Sequence, residues 1–529
     1  MANVATTSQG LVFESGTVTS RERFFNSGPA IVVYIATLEF VLHMPNPGGY
    51  GFFIDELYFM ACGEHLAFGY VDMPPLTAFQ SWAARGIFGD SLFAIRLFPT
   101  LAAAGLVLLT GALVRQLGGG RFAQALAAVA VLLAPFYLSF CSYLSMNSVE
   151  PLIWTGCALI LIRMIKTDDP KLWIWLGLLA GIGLENKHTM LVFGFALVVG
   201  VAFTPARRLM ASRWFLLGGL TAFLIFVPNL IWVIQHHFPH IEMLANIRRN
   251  HRNVEFGPLG FIGWQILGMQ PFAAPIWIGG LWFFLLSDRG RPYRALAWAY
   301  LLSLAILLLT QGRFYYLAPA YPMLLAAGAV TMEGWFEQPR RRAWGWAYAA
   351  LVVVTGGIAA LNTLPLLPPE TYIAYTRFLG ISQPQFEHRQ ASALPQLLAD
   401  RFGWPEMAEA VARVYNGLPV DERAKTAIFG SDYGQAGAID YYGPRLGLPK
   451  AISGHVNYWY WGPREYTGEE MIVLGSTRER LERSFNKVEA KDEVGHQYAM
   501  AQEHFTIYLC RQPKRVNFAQ AWPALKNWD

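Results

Sequence analysis

Residues 92–114 read LFAIRLFPTLAAAGLVLLTGALV, with Arg96 the only charge in the run. A helix needs about 20 mostly apolar residues to cross the hydrocarbon core of a bilayer. This stretch is long enough, so it places the chain in a membrane. Similar windows lie on both sides of it, near 28–46, 122–142, 149–165, 172–184, 189–204, 214–235, 260–286, 295–310, 315–333 and 343–363. Together they predict an α-helical polytopic membrane protein with about eleven transmembrane helices, although 172–184 needs its flanks to cross. Composition agrees. The 529 residues are 54% hydrophobic and only 15% charged, against about 25% charged in a typical soluble protein. Mean hydropathy is +0.31. A net charge of +5 is too small and dispersed for a nucleic-acid partner. The four cysteines, Cys62, Cys141, Cys157 and Cys510, match no zinc or redox spacing. The N-terminus shows no removable signal peptide.

Basic loops stay cytoplasmic, so Lys and Arg set the orientation. With the N-terminus (1–27) inside, sixteen Lys and Arg residues fall on the inner side, including Arg21, Arg23, Arg163, Lys166, Arg207, Arg208, Arg340, Arg341 and Arg342. The opposite short loops hold seven. The transmembrane region then runs over 28–363, and residues 364–529 form a C-terminal α/β domain on the outer side, the periplasm of a cell with two membranes. In that domain AKTAIFGSDYG, EEMIVLGS and HFTIYLCR read as strands, and TRERLERSF and WPEMAEAVARVY as amphipathic helices.

Every polar cluster able to do chemistry maps to the outer side. Residues 52–59, FFIDELYF, put Asp55 and Glu56 side by side among aromatic rings. Like charge and desolvation both oppose ionisation, which moves a carboxylate towards general-base duty. The same loop carries Asp72. Later outer turns carry Glu150, then Lys187 and His188, then His236, His237, His240 and Arg249, and finally Arg313, Tyr315 and Tyr316. Ionisable groups at membrane depth are costly and usually line a cavity or pathway. Plainer roles exist for each. Glu56 can pair with Arg96, Lys187 can reach up to the interface, the histidine pair can be interfacial, and the tyrosines can form an aromatic belt.

The ordered set IDELYF, HLAFGYVDMPPL, FGDSLFAIRLFP, GLLAGIGLENKHTML, PNLIWVIQHHFP and GRFYYLAPAYP, over about 28–335, resembles the GT-C-fold glycosyltransferases of family 39. These include protein O-mannosyltransferases and the bacterial aminoarabinose transferases of lipid A. The resemblance implies a multi-pass enzyme of the cell inner membrane that takes a hexosyl or pentosyl unit from a polyprenyl-phosphate carrier on the periplasmic side. It passes the sugar, with inversion, to an envelope acceptor: lipid A, a glycan, a lipid or a protein hydroxyl. It makes Asp55 the base and Glu56 its partner in the catalytic pair, which orients the loop through an ion pair to Arg96. It makes Asp72 and Glu150 acids on the acceptor side, and it assigns Arg313, Tyr316, Lys187 and Arg249 to the donor phosphate. It implies no cofactor and no catalytic metal.

Two positions depart from the family pattern. Asn186 replaces a threonine before Lys187, and Met73 stands where a basic residue or histidine usually precedes the Pro-Pro pair. Met73 has no proton to give, so other cations must meet the phosphate. A transporter or lipid flippase is the chief alternative. It would need related halves and a polar pathway to the inner face, and neither is evident in the sequence. A membrane-anchored binding module leaves the paired acids without a task.

Overall fold

The apolar stretch that anchors the sequence reading is one 25-residue helix, Leu92–Gln116. Its N-terminus is capped by Ser91, whose hydroxyl oxygen accepts the Ala94 N–H at 3.1 Å. At about 1.5 Å per residue it exceeds the hydrocarbon thickness. The computed structural model describes residues 27–252, 254–381, 387, 392–514 and 518–528. The expected cytoplasmic segment, with Arg21 and Arg23, lies outside them except for its last residue.

All eleven windows are helical. Among the described residues, five helices are long and apolar enough to cross a membrane: Leu92–Gln116, Met146–Thr167, Arg213–Gln235, Arg291–Leu309 and Arg342–Thr363. Two further candidates are bent pairs, Met190–Ala202 with Pro205–Ala211 at 108°, and Pro258–Gly268 with Pro271–Leu286 at 92°. The remaining windows hold shorter helices, so by length and composition alone five of the eleven expected spans qualify among the described residues, or seven with the bent pairs counted. The 260–286 window is therefore not one rod. Pro271 supplies no N–H to continue the helix, and Gln270 takes a φ of +68°. The Gln270 amide donates to Val352 O and Thr355 Oγ1, both at 2.7 Å, which ties the bend to the Arg342–Thr363 helix. Similarly, 122–142 breaks before Pro135 into Arg121–Leu132 and Pro135–Phe140.

The C-terminal region holds a four-stranded sheet in the order β1-β2-β4-β3. β1 (Thr426–Gly430) runs parallel to β2 (Glu470–Leu474). β4 (Phe505–Pro513) is antiparallel to both β2 and β3 (Phe485–Val494). β3 corrects the sequence reading, in which TRERLERSF is a helix. The helix covers only Arg478–Glu482, and its last expected residue, Phe485, opens the strand.

This domain rests on the loops that follow the first and third apolar windows. Asp400 O accepts the Ile54 N–H at 3.1 Å. The buried Arg401 donates to Ser142 Oγ at 2.8 Å. Asn457 Oδ1 accepts the Val71 N–H at 2.7 Å, and Lys450 pairs with Glu64 at 2.6 Å. The first loop is thus enclosed between the helical bundle and the C-terminal domain.

Candidate active site

The helix Ile54–Glu64 begins where Glu56, in its first turn, reaches back to accept the Phe53 N–H at 2.8 Å. The same carboxylate accepts from Arg96 Nε at 3.0 Å, Arg96 Nη2 at 2.9 Å and the Leu144 N–H at 3.1 Å. Arg96 also donates to Gly51 O at 2.9 Å. Glu56 is fully buried. Burial alone would push its carboxyl up, but the Arg96 charge and these hydrogen bonds hold it below the usual carboxylate value. With four donors on its two oxygens, Glu56 ties the start of this helix to Arg96 and to Leu144.

Asp55 points elsewhere and is partly exposed. Its Oδ1 accepts the Tyr433 hydroxyl at 2.8 Å. Tyr58, one turn along the same helix, donates to Asp72 Oδ1 at 2.8 Å. The Tyr58 and Tyr433 rings lie 4.9 Å apart. Two carboxylates therefore sit close together under two touching tyrosines. Burial pushes the Asp72 carboxyl up to about 7; the Tyr58 hydroxyl opposes this, and the nearby charge of Asp55 adds to it.

A prediction follows from Asp72. Its native value lies above its ordinary value of 3.8, so the native state binds the proton more tightly than the unfolded chain. The stability this confers is fully present below about pH 4 and is lost as pH rises through about 7. Asp72→Asn cannot titrate. Between pH 5 and pH 8 the thermal midpoint of the wild type should fall further than that of the variant. Parallel curves would show that Asp72 does not hold the extra proton.

A second group collects the cations. Lys187 donates to Asn147 Oδ1 at 2.8 Å and to Glu150 Oε2 at 3.1 Å, and lies 4.1 Å from the Tyr316 ring centre. The Thr189 hydroxyl donates to the other Glu150 oxygen. Glu150 and Lys187, expected on the acceptor and donor sides respectively, pair with each other. Arg313 donates to the Tyr315 hydroxyl at 3.0 Å and shares the Glu387 carboxylate with Arg252, at 3.6 and 3.7 Å. Arg249 does not join them; its guanidinium bonds Asn246 Oδ1 of its own helix at 3.4 Å and stays exposed. The arginine of that loop that shares a carboxylate with Arg313 is Arg252.

Tyr143 links the two groups. Its ring packs 4.4 Å from Phe53, and its hydroxyl neighbours both Asp55 and Tyr315. On the far side, His240 stands 5.6 Å from His188 and is held neutral, pushed down to about 4 by burial with His188 and Lys187 adding to the effect. His188 bonds Asn229 Oδ1 at 3.0 Å, and the Asn229 amide donates to Phe68 O at 2.7 Å. These contacts bind the Asp72 loop to the helix Arg213–Gln235. Among the described residues, no group of three or more His, Cys, Asp or Glu side chains is arranged to hold a metal ion.

Searches of solved structures place this architecture. ArnT from Cupriavidus metallidurans bound to undecaprenyl phosphate aligns over 90% of this chain and 97% of its own, with a TM-score of 0.58 at 14% identity. Its apo form gives 0.57 at 14% identity over the same shares of the two chains. The fold is GT-C. The Archaeoglobus fulgidus oligosaccharyltransferase in complex with zinc and sulfate shares the GT-C fold at a TM-score of 0.51 and 13% identity, over 84% of this chain and 68% of that one. Within the GT-C region, residues 72–232 match the family model described as dolichyl-phosphate-mannose-protein mannosyltransferase. That segment contains Asp72, Arg96, Glu150 and Lys187. Asp55, Glu56, Arg313 and Tyr316 lie outside it. No curated protein matches the chain.

Sequence reasoning did not single out Tyr433, Tyr58, Arg252 or Glu387. Tyr58 stands inside the quoted motif IDELYF and could have been read as a partner. Tyr433 gives no such signal, because its contact spans 378 positions.

Proposed function

We propose that this multi-pass membrane protein is an inverting glycosyltransferase that takes a hexosyl or pentosyl unit from a polyprenyl-phosphate carrier. The acceptor is a hydroxyl or phosphate of the cell envelope, and the site faces the periplasm of the inner membrane. The observation that carries the reading is that Asp55 and Asp72 lie near each other, under Tyr433 and Tyr58, and that Tyr143 neighbours both Asp55 and the Tyr315 of the Lys187 and Arg313 group. The mannosyltransferase match over 72–232 and the GT-C likeness to ArnT crystallised with undecaprenyl phosphate support the choice of a lipid-borne donor.

In this reading Asp55 takes the proton as the acceptor oxygen attacks the anomeric carbon. The bond from that carbon to the carrier phosphate breaks, and the polyprenyl phosphate leaves with the electron pair. One displacement inverts the centre. Charge grows on the departing phosphate, so the cations act most strongly in the transition state. Lys187 and Arg313 are each paired with a carboxylate here, and phosphate would compete with Glu150 and Glu387 for them. The reaction as written needs no metal.

The test uses the purified chain in proteoliposomes with undecaprenyl-phosphate-linked mannose, glucose or 4-amino-arabinose and envelope acceptors including lipid A. A labelled sugar should appear on an acceptor by mass spectrometry. Label that crosses sealed vesicles with no covalent product would instead indicate a carrier. Arg313→Ala should raise the donor KM about ten-fold or more, in line with losing one charge-assisted hydrogen bond, and leave the acceptor KM nearly unchanged. An unaltered donor KM would remove Arg313 from phosphate binding.

A further inference from the structure

The C-terminal domain does more than cover the first loop. β1 ends at Gly430, and Asp432 caps the next helix, its Oδ1 accepting the Gln435 N–H at 2.9 Å. That cap fixes Tyr433 in the first helical turn, beyond the carboxyl end of a parallel strand, where α/β sheets commonly present functional side chains. Two rings hold the Tyr433 ring. Tyr58 packs against it at 4.9 Å. His455 stacks on it at 4.9 Å and 27°, and its Nδ1 accepts the Tyr433 N–H at 3.2 Å. A close helix contact sets the distance, since a Cβ on Gly437 would stand 2.9 Å from the Leu57 carbonyl carbon. Only glycine allows the Tyr433–Tyr442 helix to lie this near the Ile54–Glu64 helix. The outcome of these constraints is a hydroxyl 2.8 Å from Asp55 Oδ1.

We propose that Tyr433 is a positioning residue for the reaction at Asp55, so that the C-terminal domain completes the active site. This rests on the reading of Asp55 as the base. The Tyr433 hydroxyl selects one orientation of the Asp55 carboxylate. A donor to a carboxylate also favours its charged form, which is the form a base needs before attack. Titratable and charged groups in this neighbourhood include Asp72, Tyr58, Tyr143 and Tyr433, with His455 stacked on Tyr433 and Glu56, Arg96 and Arg401 behind.

The test reads the Asp55 carboxyl directly. Full-length protein in proteoliposomes is treated with a water-soluble carbodiimide and glycine methyl ester from pH 4 to 8. Labelling at Asp55 is quantified by peptide mass spectrometry and normalised to the exposed Asp421. Tyr433→Phe keeps both ring contacts and loses the hydroxyl. It should move the Asp55 labelling midpoint up by about one pH unit, the scale of one hydrogen bond to a charged group. Tyr58→Phe is the contrasting variant. It removes a hydroxyl from the touching ring but frees Asp72 to hold its proton, so the Asp55 midpoint should stay or fall. With a sugar donor, Tyr433→Phe should lower kcat about ten-fold and shift the acid limb of the pH profile upwards, with donor KM unchanged.

An unmoved labelling midpoint in Tyr433→Phe, or equal upward shifts in both variants, would overturn the proposal. If the midpoint moves as expected but the wild type transfers none of the three sugars, the positioning stands and the glycosyltransferase reading falls.

Discussion

Asp55→Asn should retain the fold and lose sugar transfer by about 10²–10⁴-fold, the usual range for removal of a general base. The amide keeps the size of the carboxylate, and its oxygen can still accept the Tyr433 hydroxyl. It cannot take a proton from the acceptor. The neighbouring acids offer no simple substitute. Glu56 is saturated by Arg96, Phe53 and Leu144, and Asp72, raised to about 7, is protonated for much of the time at neutral pH. The measurement is initial transfer rate at saturating donor, taken with the thermal midpoint of the same preparation. Transfer at the wild-type rate would exclude Asp55 as the base, whatever else the site does.

Arg96→Leu is expected to be the most destabilising single change near the site. It leaves Glu56 charged, with no exposed surface and no cation in contact. Breaking a buried pair from one side typically costs about 3–5 kcal/mol. The loss also releases Gly51 O and the start of the Ile54–Glu64 helix, so activity should fall with stability. The double variant Glu56→Gln with Arg96→Leu removes the stranded charge and should melt at a higher temperature than Arg96→Leu alone. A double variant no more stable than the single would mean that the pair does not carry the loop.

How much of this could be read in the sequence depended on the length of each signal. Apolar runs of about 20 residues are long, and each of them is helical, though some are broken or bent. The 92° bend near Gln270 was hidden because both arms are apolar and the break takes only a few residues. β3 was missed because it is an edge strand. Lys487, Glu489, Lys491 and Asp492 keep that edge charged, as edge strands often do, while only Val488 and Val494 are buried in it, so it lacks strict alternation. The Glu56–Arg96 pair was legible as one option, since each is a rare charge in apolar surroundings. Among Arg248, Arg249 and Arg252, spacing alone could not show which stands beside Arg313; the structure puts Arg252 on the same Glu387 carboxylate.

The hydroxyl that meets Asp55 is encoded 378 positions downstream of it. Synthesis runs from the N-terminus, so the first outer loop is complete long before the ribosome reaches Tyr433. Until that last segment has been made and has closed its long loop, the carboxylate lacks this partner. A chain that ends before residue 433 therefore carries the Ile54–Glu64 helix without the hydroxyl that meets Asp55.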